Sequence, residues 1–391
     1  MCKCGDEMKE HKEFFGVAAY RFADSLIRYI TSSKENKQAY NPDVSAGEDV
    51  CIVLDKGMGD FILFSYYLKK LIEYYATVPQ NVWIIADSYN IEFLQAYVPE
   101  LRERIIILKV NGLETLEGKK LESYRGRFNV AILPMYDMTP RCCQILRVLS
   151  PNKILSVGKG RFLRKYSILD YRLFKTVETF NLEKEFYCNM HRKFLMHICG
   201  DDYGLALLHP ATRKRIVDRS YFIINISASN KVKLLPFETF LNLAELLSNH
   251  YDLVPVIIGE LSPTELKKIN TNIFVCDYVN SHSILETISL CEHAEFVVTS
   301  DTGIYHLALS IPNKKYVIIP TWSKYNTLFE PYPLELENGR LKYFRKYINC
   351  SECPYKRITC SIRQRKKNTV SCVSKMKAEE IYSYIVRLLD K

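Results

Sequence analysis

Apolar residues along the chain occur in short runs that alternate with segments of helical periodicity. In the first half, apolar runs typical of strands buried in a parallel sheet predict strands at 51–55, 82–87, 104–110, 128–134 and 154–158. Between and around them, apolar positions three and four residues apart predict helices at 5–35, 61–75, 89–97, 142–149 and 176–196. This alternation predicts a doubly wound α/β unit.

A second series of the same kind begins near residue 220. It predicts strands at 221–227, 253–259, 273–278, 295–301 and 315–320, and helices at 236–250, 262–269, 284–290, 303–310 and 377–389. Two such halves meeting near residue 215 predict a cleft, because open parallel sheets bind ligands at the carboxyl ends of their strands. We therefore expect an α/β protein with a helical extension at 1–48, two α/β domains at 49–215 and 216–376, and a terminal helix at 377–391.

Composition and charge narrow the class of protein. Hydrophobic residues make up 48% and charged residues 25% of the 391 residues, as in ordinary globular proteins. No apolar run approaches the ~18–20 residues of a membrane span, and the charged N-terminus is unlike a signal peptide, so a cytoplasmic protein is expected.

The net charge of +10 is concentrated in one segment. Residues 340–377, the basic segment, hold twelve Lys and Arg and one Glu, so the rest of the chain is near neutral. Such a segment attracts phosphate, whether in nucleic acid, an anionic lipid surface or a phosphorylated substrate, and the alternative is a solvated tail without a partner.

The chain contains 13 cysteines, which without a secretion signal are expected to be reduced thiols. Four of them cluster in the basic segment: Cys350, Cys353, Cys360 and Cys372. The first two have the spacing of metal ligands, whereas the second two match no common zinc module. A structural zinc and four packing thiols both remain open.

The first motif with chemical content is the turn Gly57-Met58-Gly59-Asp60, directly after the first predicted strand. Its two glycines permit a tight turn and a close approach of the backbone. Asp60 can serve as a general base or as the N-cap of the following helix, and spacing alone favours the cap.

Two further motifs have the character of phosphate sites. In the segment Asp301–His306, Thr302 and the amide of Gly303 stand at a predicted helix N-terminus, where anions are bound. A capped helix with a buried His306 is the alternative interpretation. The other motif is the segment Ser227–Pro236, a small polar turn with two lysines before a helix that Pro236 opens.

In this order and spacing, the three motifs resemble those of heptosyltransferase-type glycosyltransferases (glycosyltransferase family 9, lipopolysaccharide core biosynthesis). Where the family has a G-x-x-G-D turn, this chain has GMGD, Gly57 to Asp60, with one residue between the glycines. Its most specific signature, D-T-G-x-x-H-L-A-x-A, corresponds here to DTGIYHLALS from Asp301 to Ser310, which differs only at the last position. The resemblance covers residues 50–390, and the terminal C-x2-C and further cysteines also fit it.

The resemblance implies a glycosyltransferase-B fold, with two Rossmann-like domains and the active site in the cleft between them. It also implies inverting sugar transfer without a catalytic metal, with Asp60 deprotonating the acceptor hydroxyl and Lys233, rather than Lys231, neutralising the donor diphosphate. The further donor-binding residues that it implies are Ser227, Ser229, Asp301, Thr302, Gly303, His306 and, for the ribose, Glu265 or Glu260.

The implied reaction moves heptose from ADP-heptose to a lipopolysaccharide-type or other lipid-linked glycan, with peripheral contact at the inner face of the plasma membrane. Departures from the family pattern, such as Ile319 in place of the glycine of a Gly-Pro-Thr-like turn, leave the donor open. Two rivals are a different sugar-nucleotide enzyme of the same fold, an epimerase or hydrolase, and a nucleic-acid-binding protein. Nucleic acid is not expected, because the basic segment has no complete zinc-finger spacing and is short of interleaved aromatic residues.

Overall fold

The structure is a computed structural model. It describes residues 49–54, 57–75, 82–87, 90–99, 105–108, 121–134, 140–157, 177–180, 187–228, 234–280, 283–300, 302–312, 316–321, 340–345 and 376–391. The predicted helix at 5–35 and the four clustered cysteines lie outside these residues.

The first half of the chain forms a six-stranded parallel sheet. Its strands are β1 (Val50–Leu54), β2 (Val82–Asp87), β3 (Ile105–Leu108), β4 (Val130–Leu133), β5 (Lys153–Val157) and β6 (Val177–Phe180). Their order in the sheet is β3-β2-β1-β4-β5-β6. The helices of this half are α1 (Met58–Tyr75), α2 (Ile91–Tyr97), α3 (Pro140–Leu149) and α4 (Tyr187–Cys199).

The second half forms a five-stranded parallel sheet. Its strands are β7 (Tyr221–Asn225), β8 (Val254–Ile258), β9 (Phe296–Thr299), β10 (Tyr316–Thr321) and β11 (Leu341–Arg345), in the order β11-β10-β9-β7-β8. Its helices are α5 (Phe237–Tyr251), α6 (Pro263–Leu266), α7 (Ile284–His293), α8 (Gly303–Ser310) and α9 (Ala378–Leu389).

The order of the strands reverses once in each sheet, between β1 and β4 and between β7 and β9. At such a switch point the connections leave in opposite directions and open a crevice at the carboxyl ends of the strands. The turn at Gly57–Asp60 follows β1, the turn at Ser227 follows β7, and the turn at Thr302 follows β9. All three motifs therefore stand at switch points.

Two sequence predictions were wrong in detail, and one strand was not predicted. The helix at 176–196 is instead strand β6 followed by helix α4, because Val177–Phe180 pairs with β5 and extends the first sheet. The strand at 273–278 is reduced to two isolated parallel bridges, Val275 to Val256 and Val279 to Gly259. Strand β11 was not predicted, since its alternating polar residues gave no continuous apolar run.

Among the described residues, one of the three hydrophobic clusters spans both halves, and the other two each belong to a single half. A single buried cluster contains residues of β1 and α1, such as Ile52 and Phe64, and residues of the second half, such as Ile223 and Leu307. Helix α8 is buried around its circumference from Ile304 to Ser310, as expected for a helix enclosed by protein. It packs against α1, so these two helices join the halves.

Candidate active site

The glycine-rich turn after β1 leads directly into helix α1. The amide of Phe61 donates to the carbonyl of Gly57 over 3.1 Å, which closes the first helical turn. The helix begins at Met58, three residues earlier than predicted, so Asp60 is its third residue and not the N-cap. Its half-buried carboxylate lies in the first turn, where the helix dipole favours a negative charge.

Helix α8 begins at the second predicted motif, and Thr302 is its N-cap. The Thr302 hydroxyl accepts from the amide of Ile304 over 3.3 Å, and the carbonyl of Thr302 accepts from the amide of Tyr305 at the same distance. Gly303 is the first helical residue, and His306 is buried one turn further on. The two interpretations of this motif, an anion site at a helix N-terminus and a capped helix with a buried His306, are therefore compatible. The helix is capped, and its N-terminus lies at a switch point.

The two helix starts are in direct contact, although Met58 and Gly303 lie 245 positions apart in the chain. A Cβ atom on Gly59 would lie 2.6 Å from Cδ2 and 3.0 Å from Nε2 of His306. Conversely, a Cβ atom on Gly303 would lie 2.6 Å from Cε of Met58. Only glycine fits at either position without displacing its neighbour. The structure therefore brings together the predicted catalytic turn and the predicted donor turn.

A buried asparagine that sequence reasoning missed connects the turns of the second half. Asn225, at the end of β7, directs its amide nitrogen at the hydroxyl oxygens of Thr299 and Thr302, at 2.9 and 3.1 Å, and at the carbonyl of Ser227, at 3.1 Å. Its carbonyl oxygen lies 3.4 Å from the amide of Ser227. The signal in the sequence was a polar residue that ends the apolar run Tyr221–Ile224.

The end of β8 packs tightly on the same turn. Gly259 has φ +118°, a conformation that favours glycine, and a Cβ atom there would lie 2.6 Å from Oγ of Ser227. Ser227 is thus held by both Asn225 and the backbone at Gly259. Of the two carboxylates considered for a ribose, Glu260 is exposed beside this turn.

Glu265 has a structural role in the described part of the chain. Its carboxylate accepts from the amide and hydroxyl of Ser262, at 2.9 and 2.6 Å, in a capping box at the start of α6. This use of the carboxylate favours Glu260 over Glu265 for contact with a ligand. The other predicted donor residues, Ser229, Lys231, Lys233 and Asp301, lie outside the described residues.

The described ends of the basic segment are engaged in the fold. The guanidinium of Arg340 donates to the carbonyls of Leu309 and Ile311 and so caps the C-terminus of α8. Lys342 lies over the ring of Tyr316, with 5.7 Å between Nζ and the ring centroid. The guanidinium of Arg340 therefore serves the fold of the second half and is not assigned to binding a partner.

A buried histidine lies behind α1, on helix α4. The ring of His191 packs edge-on against Phe64, with 5.1 Å between centroids. Burial lowers the pKa of His191 to about 3, and a hydrogen bond to the backbone of Pro134 opposes the shift. His191 is therefore neutral at pH 7 and acts as a packing residue of the first half.

Among the residues that the structure describes, no group of three or more His, Cys, Asp or Glu side chains could hold a metal ion. The same part of the chain has no helix long and apolar enough to cross a bilayer.

Comparison with known proteins agrees with this architecture. Residues 146–317, which run from α3 to β10 and include the turns at Ser227 and Thr302, match the model of Glycosyltransferase family 9 (heptosyltransferase). The chain resembles heptosyltransferase-type glycosyltransferases. The resemblance predicted from the sequence motifs is thus confirmed, and the match indicates a glycosyltransferase enzyme. No curated protein sequence matches the chain.

Solved structures of this type share the fold. The E. coli ADP-heptose lps heptosyltransferase II has a TM-score of 0.60 and 11% identity, covering 87% of this chain and 98% of its own. A glycosyl transferase family 9 protein of Veillonella parvula has a TM-score of 0.59 and 13% identity, covering 88% and 98%. E. coli heptosyltransferase WaaC with ADP has a TM-score of 0.57 and 15% identity, covering 87% and 99%. The glycosyltransferase-B fold, with two Rossmann-like units, is thereby confirmed.

Proposed function

We propose that this glycosyltransferase transfers heptose from ADP-heptose to a lipopolysaccharide-type glycan, with inversion and without a catalytic metal. The observation that carries the proposal is the contact between the two helix starts, Gly59 against His306 and Gly303 against Met58. This contact supports the proposal, because the half-buried Asp60 directly follows Gly59 and a helix N-terminus such as that of α8 is suited to bind a diphosphate. Supporting the choice of donor, similar structures are of WaaC with ADP and with ADP-2-deoxy-2-fluoro heptose.

In the proposed reaction, Asp60 takes the proton of the acceptor hydroxyl as its oxygen attacks the anomeric carbon. The bond from that carbon to the diphosphate breaks, and negative charge develops on the leaving group. The N-terminus of α8, capped by Thr302, faces this charge with its dipole, and Lys233 adds a positive charge. Removing one such electrostatic group typically costs about 10²–10³ in rate.

The proposed binding of the nucleotide-sugar donor is tested by thermal stabilisation. We expect ADP and ADP-heptose to raise the Tm more than UDP, GDP or CDP at equal concentration. Ligand at about one hundred times its Kd stabilises the folded state by about 2.7 kcal/mol. If no nucleotide shifts the Tm, the site at α8 has been misassigned.

The reaction itself is tested by the products. A transferase releases ADP from ADP-heptose only when a lipopolysaccharide-type acceptor is present, whereas a hydrolase releases it without one. An epimerase would change the sugar and leave the nucleotide attached. Acceptor-independent release or epimerisation would therefore replace the proposal by its rival of the same fold.

We further propose that the basic segment binds an anionic acceptor or membrane surface. The local excess of positive charge supports this, and the attraction should weaken as salt screens it. Replacing Lys356, Arg357, Lys366 and Lys367 by Gln should raise the acceptor KM or reduce binding to anionic vesicles, while the ADP-induced Tm shift persists. Unchanged acceptor kinetics together with no vesicle binding at low salt would contradict it.

A further inference from the structure

We infer that His306 is a positioning residue that sets the place of Asp60 through its contact with Gly59. The inference rests on the proposed function, in which Asp60 is the base. It goes beyond that function by assigning a role to His306, which lies across the interface between the two halves. His306 belongs to the second half, whereas Gly59 and Asp60 belong to the first turn of α1.

The surroundings of His306 restrict the movement of its imidazole at this contact. The imidazole of His306 is held on one side by the ring of Tyr305, with 3.8 Å between centroids, and only 8% of the residue is exposed. Its Cδ2 and Nε2 atoms stand where a side chain on residue 59 would begin. The start of α1 therefore rests on the imidazole at the position directly before Asp60.

A reciprocal contact completes the arrangement. The side chain of Met58 occupies the space where Gly303 would carry a Cβ atom, with Cε at 2.6 Å and Cγ at 3.0 Å. Each helix start thus inserts one side chain above a glycine of the other. Two opposed contacts fix both the separation and the lateral register of α1 and α8, which a single contact could not do.

The surrounding packing prevents the two helix starts from separating easily. Large apolar interfaces oppose relative movement of domains, and one buried cluster runs through both halves here. The amide of Ile284 on α7 also donates to the carboxylate of Glu92 on α2 over 2.8 Å. Asp60 is consequently held beside the donor turn before any donor binds, and His306 contacts the residue directly before it.

The contact is tested first by stability. Gly59→Ala should lower the Tm by roughly 2–6 °C, as expected for overpacking at a close contact. In the His306→Ala background the same change should cost clearly less, because the clash is gone. Gly57→Ala is the matched control: a Cβ there would meet no described atom within 4 Å, so its effect should add to that of His306→Ala. Additive losses for Gly59→Ala would overturn the inference.

The positioning role is tested by kinetics. Gly59→Ala should reduce kcat by about 10²-fold, the cost of a misplacement of about 1 Å, while its ADP affinity stays within about twofold of wild type. Because the imidazole is inferred to position Asp60, His306→Ala alone should also reduce kcat, and adding Gly59→Ala to it should change kcat by less than about twofold more. His306→Ala with wild-type kcat, or a loss of ADP affinity in Gly59→Ala as large as its loss of kcat, would overturn the role.

Failure of the proposed function would have a different signature. A wild-type protein that transfers no sugar would refute that function and the positioning role with it, whereas the coupling between residues 59 and 306 in Tm would persist. Loss of the coupling in an active wild-type enzyme would refute the positioning role alone.

Discussion

The hydroxyl of Tyr97 on α2 forms a buried hydrogen bond of 2.7 Å with Oγ of Ser310 at the end of α8. The two residues lie 213 positions apart and belong to different halves of the chain. Burial raises the pKa of Tyr97, and its hydrogen bond to Ser310 partly opposes the shift, so the phenol stays protonated at neutral pH. The bond therefore joins the halves at all physiological pH values.

Removal of this hydroxyl should weaken the junction between the halves. Tyr97→Phe is expected to lower the free energy of unfolding by about 1 kcal/mol, measured by urea denaturation. Tyr66→Phe is the matched control, because the hydroxyl of Tyr66 makes a longer, partly buried bond of 3.2 Å to the carbonyl of Tyr203. Equal losses of unfolding free energy in the two variants would show that the hydrogen bond of Tyr97 between the halves contributes no more to stability than the bond of Tyr66.

Replacing the proposed base should separate catalysis from folding. Asp60→Asn is expected to lose about 10²–10⁴ in turnover, since an amide cannot accept the proton. Its stability should fall by at most about 1 kcal/mol, the value of a charge at a helix N-terminus, and its ADP-induced Tm shift should persist.

Glu73→Gln, an exposed acid near the other end of α1 that pairs with Lys70, controls for loss of charge and should keep its turnover. An Asp60→Asn variant that retains more than about a tenth of wild-type turnover would exclude Asp60 as the base.

The cap of α8 should matter for ligand binding as well as for stability. Thr302→Ala is expected to cost about 1 kcal/mol of stability and to weaken ADP binding, because the hydroxyl orders the helix start. Thr302→Ser should preserve both. Ser283→Ala removes the cap of α7, where the side chain accepts from the amide of Glu286, and should cost similar stability without affecting ADP. Equal ADP affinity in the two alanine variants, compared by calorimetry, would contradict the site.

The close packing at the end of β8 gives a test of the turn at Ser227. Gly259→Ala combines a positive φ with a clash against Ser227, so it should reduce both stability and ADP affinity. Gly200→Ala has a similar strain, with φ +80°, but a Cβ there would meet no described atom within 4 Å. It should lose stability only. ADP titrations of both variants, with unfolding midpoints, distinguish the two effects.

The buried histidine predicts a pH dependence of stability. The pKa of His191 is about 3 in the folded state against about 6.5 when unfolded, so the unfolded chain binds more protons between these values. Its contribution is complete above pH 6.5 and declines as the pH falls towards 3, by about 1.4 kcal/mol per unit.

His191→Phe should remove this component, because phenylalanine does not titrate and can pack against Phe64. Between pH 6.5 and 5 the wild type should therefore lose about 2 kcal/mol more than the variant, measured by urea denaturation at each pH. If the free energy of unfolding changed with pH equally in the two proteins, His191 would be either already neutral in the unfolded chain or accessible to protons in the folded one.

The sequence by itself determined the local units of this protein. A buried apolar run, a glycine-containing turn and a helix follow one another at β1–α1 and β9–α8, and the structure forms both. These units depend on residues close in sequence, whose backbone preferences and periodicity act wherever the segment stands. The same signals located Gly59, Asp60, Thr302 and His306 at helix starts.

Tertiary structure decided which of these units meet and what each short segment becomes. Val177–Phe180 is a strand because β5 offers it an edge, and Leu341–Arg345 is one because β10 does. The contact of Gly59 with His306 and the bonds of Asn225 to Thr299 and Thr302 join residues far apart in the chain. Local periodicity carries no information on such pairs, because their energies arise only once the two sheets have packed around a common core.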